Sequence, residues 1–259
     1  MTGYPPSVLP EQIPILVLHS RSLSERAAPL IRELSKISNV WGWVFDFEVA
    51  EITAEIERRW FKPDAPLSMR QKSCAMKHIA ALQRVRDMTW EKAIIFEDDV
   101  LIADNFGVKL ALVLDEAKRL WSLPFVIHLG SATNFYVPAP ELRPGQMLYR
   151  GTRGRNAEAY VIGAKTASLR LDWLEKHKIS EPIDLMFNAS DAATGIDMIW
   201  TEPPLAEQGS LTGRFPSSLD PKRRRRIVLR FQFAIQKLRR KYLKRWIHAF
   251  IEKIGLAAG

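Results

Sequence analysis

The sequence has a single cysteine, Cys74, among its 259 residues. One cysteine excludes an intramolecular disulfide, which argues against a disulfide-stabilised secreted scaffold and favours a reducing compartment. The sequence also lacks any uncharged apolar run near the ~18 residues that a transmembrane helix needs. The first 14 residues, MTGYPPSVLPEQIP, show neither the basic segment nor the apolar segment of a secretory signal. We therefore expect a cytoplasmic protein.

Acidic residues are scarce in only one part of the chain. From Lys222 onward there are 13 basic residues and one acidic residue. The first 221 residues hold the other 25 basic and 28 acidic residues, a net charge of −3, although the whole chain carries +9. The basicity therefore belongs to a C-terminal tail, and the body is mildly acidic. The body is long enough to bury a sizeable core.

Short apolar runs alternate with amphipathic segments along the body. Buried strands are predicted at residues 13–18, 40–49, 93–96 and 125–130. Helical spacing of apolar residues predicts helices over 22–35 and 68–90, and the stretch 159–177 predicts a strand followed by a helix. This alternation predicts an α/β domain around a mostly parallel central sheet. In such sheets, ligands bind beyond the carboxyl ends of the strands.

Three adjacent carboxylates, Glu97, Asp98 and Asp99, follow the predicted strand AIIF. Because side chains of an extended segment alternate, Glu97 and Asp99 are expected on one side and Asp98 on the other. Two carboxylates on one side suit an oxygen-liganded cation such as Mg²⁺ or Mn²⁺, which would offset their repulsion and clamp a diphosphate. The alternative is a solvated acidic turn, and placement alone leaves both interpretations open.

The segment IIFEDDVLIADNF resembles the acidic motif of family 25 glycosyltransferases, which build bacterial lipooligosaccharide and include collagen galactosyltransferases. Further segments resemble motifs of that family in the same order: ILVLHSRSLSERAAPL, SCAMKHIAALQ, AYVIGAKTA, PIDLMFN and EPPLAEQGS. The similarity spans about residues 11–218, which we take as one domain. Two places depart from the pattern. Phe125 stands where members usually carry Asp, and Asn156 with Ala157 stands where a Gly-Thr pair is common.

The resemblance implies a GT-A fold, in which one α/β domain binds a nucleotide sugar through a metal ion at the acidic motif. It implies that Asp99 is a direct ligand of Mn²⁺ or Mg²⁺. Glu97 is then a second ligand or a contact of the ribose, and Asp98 supports either carboxylate. Arg21 and Arg26 match the arginine-rich turn of the family, where guanidinium groups would meet the diphosphate of a UDP-sugar. For Arg26, a solvated charge at a helix start is an equal alternative.

Four other side chains have candidate roles. His19 precedes the two arginines and is a candidate nucleotide contact. Cys74 and His78 lie one helical turn apart, but no second pair completes a zinc site, so we predict a packed helix face with a hydrogen-bonded histidine. An inverting transferase, as the family implies, needs a base for the acceptor hydroxyl. Asp184 in PIDLMFN is the candidate base, and a helix N-cap is its alternative role.

Residues 222–256 are predicted to form a basic amphipathic helix. Its apolar residues recur at steps of three or four: Ile227, Phe231, Ile235, Leu238, Tyr242, Trp246, Phe250 and Ile254. Tyr and Trp favour a bilayer interface, and each Lys or Arg near an anionic leaflet contributes roughly 1 kcal/mol. We therefore predict that residues 222–254 hold the protein peripherally on an anionic membrane, the inner face of the bacterial inner membrane. Packing of the stripe on the body or on a partner chain is an alternative.

Nucleic acid is a further alternative partner of the tail, because phosphates attract the same basic residues. The bulky apolar face exceeds what phosphate contact requires, so nucleic acid is disfavoured. Capture by a calmodulin-like protein is compatible with the pattern but has no other support.

These features, with the resemblance, predict a metal-dependent inverting glycosyltransferase. It would move a hexose, galactose first, from a UDP-sugar to a hydroxyl of a lipid-linked oligosaccharide in lipooligosaccharide synthesis. Two other classes stay open. A non-catalytic, membrane-tethered nucleotide-sugar-binding relative is favoured by Phe125 and Asn156, and a metal-dependent nuclease would combine the acidic triplet with the basic tail.

Overall fold

A computed structural model gives the architecture of the chain. The residues that it describes are 13–35, 37, 40–122, 124–131, 135–210 and the single position 235. The predicted tail, 222–256, therefore lies outside the described residues except for Ile235, which is helical and exposed. Within the described part of the chain, no helix combines the length and apolarity needed to cross a membrane.

The helices and strands alternate through most of the described chain. The strands are β1 (Ile15–Leu18), β2 (Trp41–Val44), β3 (Ala93–Glu97), β4 (Val100–Ile102), β5 (Phe125–His128), β6 (Leu148–Arg150), β7 (Ala159–Ile162), β8 (Asp197–Thr201) and β9 (Ala206–Gln208). The α-helices are α1 (Ser24–Leu34), α2 (Ala54–Trp60), α3 (Met69–Asp87), α4 (Phe106–Leu120), α5 (Ala164–His177) and α6 (Ile183–Thr194).

The central sheet has seven strands in the order β2-β1-β3-β7-β5-β8-β6. β1 pairs in parallel with β2 and β3, and β5 pairs in parallel with β8. β7 runs antiparallel to both β3 and β5, and β6 runs antiparallel to β8. Five strands therefore share one direction and two oppose it. The prediction of an α/β fold with a mostly parallel sheet is confirmed.

The sheet separates two apolar layers, which explains why β1 reads as a continuous apolar run. Leu16 and Leu18 face the layer formed with α3, α5 and α6, whereas Ile15 and Val17 face the layer formed with α1 and α4. All four side chains are buried. Burial of one such side chain contributes about 1.5–3 kcal/mol, so a strand covered on both faces gains from apolar residues at every position.

The carboxyl edge of the sheet gathers several chain segments. Leu18 pairs with Glu97 at the ends of β1 and β3. Because β7 runs in the opposite direction, it begins at this edge, where the Glu97 amide donates to the carbonyl of Glu158 at 2.9 Å. A separate two-stranded pairing joins β4 to β9 and brings Gln208 opposite Val100. The acidic triplet therefore lies between β1, the start of β7 and the end of β9.

Candidate active site

A cavity of about 520 Å³ opens at the carboxyl edge of the sheet. This volume falls within the range of about 300–1,000 Å³ that is usual for small-molecule sites. Its wall contains five acidic and three basic side chains: Glu97, Asp98, Asp99, Glu158, Asp184, Arg26, Arg70 and Lys77. The cavity is therefore polar, and acidic groups outnumber basic ones among the described residues.

Asp98 is held by two of the residues that the sequence analysis singled out. Its Oδ2 lies 2.7 Å from His19 Nδ1, and its Oδ1 accepts a hydrogen bond of 2.7 Å from Arg26 Nη1. All three side chains are buried, Arg26 with only 3% exposure. The alternative that Arg26 is a solvated charge is therefore wrong. Because one Arg26 nitrogen is committed to Asp98, its part in donor binding stays a prediction.

Arg21 lies apart from this group. It is exposed, its guanidinium lies 4.6 Å from the centre of the Phe45 ring, and its backbone amide donates to Glu48 Oε1 at 3.1 Å. It does not belong to the wall of the described cavity. The structure thus brings Arg26 and His19 to Asp98 but leaves Arg21 outside, and a contact between Arg21 and a diphosphate stays a prediction.

Glu97 contacts α3 and β9, whereas Asp98 contacts α1 and the residue after β1. Its Oε1 is 3.4 Å from His78 Nε2, and its Oε2 accepts from Gln208 Nε2 at 3.3 Å. Burial raises the pKa of the Glu97 carboxyl well above its usual range, and the neighbouring Asp99 charge adds to the effect. The predicted extended alternation does not continue past Glu97, because Asp98 and Asp99 form the turn between β3 and β4, although Glu97 and Asp98 do contact different elements.

Asp99 has a buried carboxylate oxygen with no hydrogen-bond partner among the described residues. Its Oδ2 accepts from the Ser210 amide at 3.2 Å, but Oδ1 has no hydrogen bond to any residue that the structure describes. The side chain is only 3% exposed, and its burial raises its pKa, an effect that the bond from Ser210 opposes. A buried polar atom without a partner costs about 1–3 kcal/mol. Asp99 Oδ1 thus marks a position that a ligand would complete.

The Glu97 and Asp99 pair fits a hard divalent cation. Both are carboxylates, the ligand type that Mg²⁺ and Mn²⁺ prefer, and both line the cavity. Their raised pKa values follow chiefly from burial, with added repulsion from Asp99 on Glu97 and from Asp98 on Asp99, and a divalent charge would offset both effects. The donor set and the unpartnered Asp99 Oδ1 therefore agree with the metal ligands predicted from the sequence, although the ion itself stays a prediction.

His78 is fully buried beside Glu97. Its Nδ1 lies 3.0 Å from the Tyr160 hydroxyl, and its ring meets Phe187 edge-on with centroids 5.6 Å apart. Burial lowers the pKa of His78 to about 3, with a further contribution from the Arg170 charge, so the ring is neutral. The predicted packed helix face with a hydrogen-bonded histidine is confirmed.

Asp184 belongs to the first turn of α6 and lines the cavity. The N-cap of α6 is Pro182, so the alternative of an Asp184 N-cap is wrong. Burial raises the pKa of Asp184, although backbone amides of the first turn oppose the shift. A carboxylate with a raised pKa is a better proton acceptor near neutral pH, which is the property that a general base needs.

The sequence analysis missed a buried lysine in the cavity wall. Lys77 Nζ donates to the carbonyl oxygens of Phe45 at 3.2 Å and Asp46 at 2.9 Å, and to Glu48 Oε1 at 3.1 Å. One helical turn earlier, Ser73 donates to the Phe47 carbonyl. Both side chains hold the loop after β2 against α3. Their spacing of four residues could have identified them, because it places Ser73 and Lys77 on one face of α3 among its apolar residues.

Glu158 is a second missed residue, buried at 1% exposure in the cavity wall. Its carboxylate lies against Gly130, where an added Cβ would come within 2.0 Å of Glu158 Oε1. Gly130 therefore permits the approach of this side chain. The sequence analysis did not consider Glu158, a carboxylate that the antiparallel strand β7 brings to this edge.

The two departures from the family pattern lie in different places. Phe125 is the first residue of β5 and packs in the layer with α1 and α4, at the amino end of a strand whose carboxyl end faces the cavity edge. Asn156 lines the cavity and has a φ of 56°, a left-handed conformation that Asn tolerates better than most residues. Phe125 therefore does not bear directly on the cavity, whereas Asn156 does.

The chain matches one protein-family model and is similar to solved structures. Residues 35–187 match the family model described as glycosyltransferase family 25 (LPS biosynthesis protein). No curated protein matches the sequence. The chain is similar to the apo crystal structure of mouse xyloside xylosyltransferase 1, with 14% identity, a TM-score of 0.39 and coverage of 69% of each chain. It is also similar to the inositol-1-phosphate CTP transferase from T. maritima, with 12% identity, a TM-score of 0.37 and coverage of 88% of this chain and 97% of that one. The family match includes α3, the acidic triplet and Asp184.

Proposed function

The chain belongs to glycosyltransferase family 25, and we propose that it transfers a hexose from a UDP-sugar to a saccharide hydroxyl in lipopolysaccharide or lipooligosaccharide synthesis. Galactose is the first donor sugar to test, because the resemblance to galactosyltransferases implies it. The proposed fold type is GT-A. One observation carries the proposal: the buried Oδ1 of Asp99, which has no hydrogen bond to any described residue, belongs with Glu97 to the wall of a cavity at the carboxyl edge of the sheet.

The charges of the cavity support a cation-assisted donor site. Two of its basic groups are already engaged, Arg26 with Asp98 and Lys77 with Glu48 and two carbonyls. The carboxylates of the cavity would therefore repel the negative charge of a diphosphate. Glu97 and Asp99 would hold Mn²⁺ or Mg²⁺ at this point. The bound cation would neutralise charge on the diphosphate as it leaves.

Asp184 is the proposed base of an inverting transfer. The acceptor oxygen attacks the anomeric carbon from the face opposite the diphosphate, and its proton passes to the Asp184 carboxylate. The bond from the anomeric carbon to the phosphate oxygen breaks, and UDP leaves. The position of Asp184 in the cavity wall and its raised pKa support this role.

A lipid-linked oligosaccharide is the proposed acceptor, and residues 222–254 are proposed to bind the inner face of the bacterial inner membrane. The proposal is supported by the basic amphipathic pattern of these residues, which carry 13 Lys or Arg and one Glu. Such a location would place the enzyme beside a lipid-linked substrate.

The test is release of UDP by the full chain, incubated with Mn²⁺, an acceptor-sugar mixture and a panel of UDP-sugars. We expect turnover with one donor, its loss on chelation of the metal, and its loss in Asp99→Asn. The matched control is Asp115→Asn, because the Asp115 side chain is 67% exposed on α4. Full turnover in Asp99→Asn would remove the metal assignment. Nucleotide binding without turnover would favour the non-catalytic relative, and cleavage of DNA or RNA the nuclease.

A further inference from the structure

A second group of possible metal ligands borders the cavity and shares Glu97 with the Glu97 and Asp99 pair. Cys74 and His78 lie one turn apart on α3, and Glu97 ends β3. One ligand atom from each residue lies within 4.8 Å of the other two. We propose that Cys74, His78 and Glu97 form a binding site for a thiophilic divalent cation such as Zn²⁺, which competes for Glu97 with the hard cation of the donor site.

The distances suit a small tetrahedral cation. Zinc bonds of about 2.0–2.3 Å place neighbouring ligand atoms roughly 3.3–3.8 Å apart in a tetrahedron. His78 Nε2 and Glu97 Oε1 are 3.4 Å apart. The thiol has only to close from within 4.8 Å, which a change of its χ1 angle can provide. Three protein ligands leave the fourth position open towards the cavity, because both Cys74 and Glu97 line it.

The surroundings of His78 orient it as a ligand. Its Nδ1 is fixed by the Tyr160 hydroxyl at 3.0 Å, and its ring is stacked near Tyr160 and edge-on to Phe187. The other nitrogen, Nε2, is therefore directed at Glu97. A hydrogen bond from the non-ligating nitrogen of a histidine is the usual support of a metal ligand.

The two ligand sets select different classes of cation. A thiolate and an imidazole select zinc-like ions, whereas carboxylates alone suit Mg²⁺ and Mn²⁺. As the sulfur–metal bond forms, the Cys74 proton passes to solvent. Because Glu97 serves both sites, occupation of one weakens the other. This competition rests on the proposed function, whereas binding by the three residues does not.

The experiment uses Co²⁺ as a probe, because a thiolate bound to Co²⁺ gives a charge-transfer band in the near ultraviolet. Cys74 is the only cysteine of the 259 residues, so any such band reports this side chain. We expect a band that saturates at one Co²⁺ per chain, disappears on addition of Zn²⁺ and is absent in Cys74→Ser. Absence of the band in the unsubstituted full chain would overturn the proposal.

Two variants test the other ligands without relying on activity. Glu97→Gln is expected to weaken Co²⁺ binding at least tenfold, whereas Asp184→Asn, in the same cavity wall, is expected to leave the band at full height. Far-ultraviolet circular dichroism checks that each variant is folded. Unchanged affinity in a folded Glu97→Gln would remove Glu97 from the site.

Competition is measured by adding Mn²⁺ to the Co²⁺ complex. We expect the apparent Kd for Co²⁺ to rise with Mn²⁺ concentration, and a constant Kd would overturn the shared use of Glu97. A band without any turnover of UDP-sugars would leave the thiophilic site standing and contradict the proposed function. Turnover of a UDP-sugar without a Co²⁺ band would support the proposed function and overturn the thiophilic site.

Discussion

At the scale of single residues, the candidate site buries two carboxyl groups, Glu97 and Asp99, whose ionised forms are disfavoured there. The pKa values of Glu97 and Asp99 are raised, chiefly by burial, so the folded chain binds protons that the unfolded chain releases. Stability from these groups is therefore present below their unfolded pKa values, near 4, and is lost as the pH rises through the folded values. At neutral pH in the absence of a cation, the two carboxylates oppose folding.

Glu97→Gln should therefore raise the melting temperature at pH 7 in the absence of divalent cations while it removes transfer activity. The gain should be several degrees, because 1 kcal/mol corresponds to about 2–4 °C for a protein of this size. It should shrink as the pH falls towards 4, because the raised pKa of Glu97 means that the folded chain takes up this proton before the unfolded chain does. Thermal unfolding followed by circular dichroism measures both, with the exposed Asp115→Asn as the neutral control. A lower melting temperature for Glu97→Gln at pH 7 would contradict the account.

Asp184→Asn should lower kcat by about 10²- to 10⁴-fold, the usual contribution of a general base. In the unsubstituted chain the base works when ionised, so activity should rise with pH through the raised pKa of Asp184. The variant should lose this acidic limb as well as its rate. Steady-state kinetics across pH give both quantities, and unchanged kcat would remove Asp184 as the base.

At the scale of elements, the ion pair between Arg26 and Asp98 joins α1 to the turn between β3 and β4. Both side chains are buried, and the two residues are 72 positions apart. The nearby His19 contact ties the end of β1 to the same carboxylate. This arrangement holds the Asp98 side chain, and so the turn that also carries Asp99.

Arg26→Met should cost about 3–5 kcal/mol, because it leaves the Asp98 charge buried with one partner fewer. Urea denaturation measures the loss. The double variant Arg26→Met with Asp98→Asn should regain part of it, because the unpaired charge is then absent. Arg119→Ala is the control, since the Arg119–Asp115 pair is more than half exposed on both sides and should change stability by less than about 1 kcal/mol. A loss below 1 kcal/mol for Arg26→Met would contradict the structural role.

Elements with strong periodicity were predictable from the sequence, and short or reversed ones were not. β1 and β3 were expected because each contains an uninterrupted apolar run, and α3 because its helical spacing of apolar residues is long. β4 and β9 contain three residues each, too few for an alternating pattern to emerge. The predicted strand 40–49 ends at Val44 as β2, and Phe47, with a φ of 61°, lies in the loop that follows.

Several residues of the candidate site were predictable from the sequence, but their contacts were not. The acidic triplet, His19, Arg26 and Asp184 could be identified by type and order. Their pairing could not, because the bond between His19 and Asp98 spans 79 positions and no local pattern encodes it. Glu158 escaped notice for the same reason: only the antiparallel direction of β7 brings it to the edge where β3 ends.

At the scale of the whole molecule, charge divides the chain into an acidic body and a basic tail. Most of the tail lies outside the described residues, so its helix and its membrane contact stay predictions. We expect the full chain to sediment with anionic vesicles and not with neutral ones. Replacement of residues 222–226, KRRRR, by glutamine should reduce sedimentation, because each basic residue contributes roughly 1 kcal/mol at the surface. Equal sedimentation of the two chains would contradict membrane binding by charge.

The central claim is that Glu97 and Asp99 hold a divalent cation against the diphosphate of a nucleotide sugar. The most direct measurement is the anomalous scattering of manganese in crystals of the full chain grown with Mn²⁺ and UDP. The account predicts one strong peak within bonding distance of Asp99 Oδ1 and of an oxygen of the diphosphate. Bound UDP whose diphosphate lies away from the acidic triplet, with no manganese at Asp99, would contradict it.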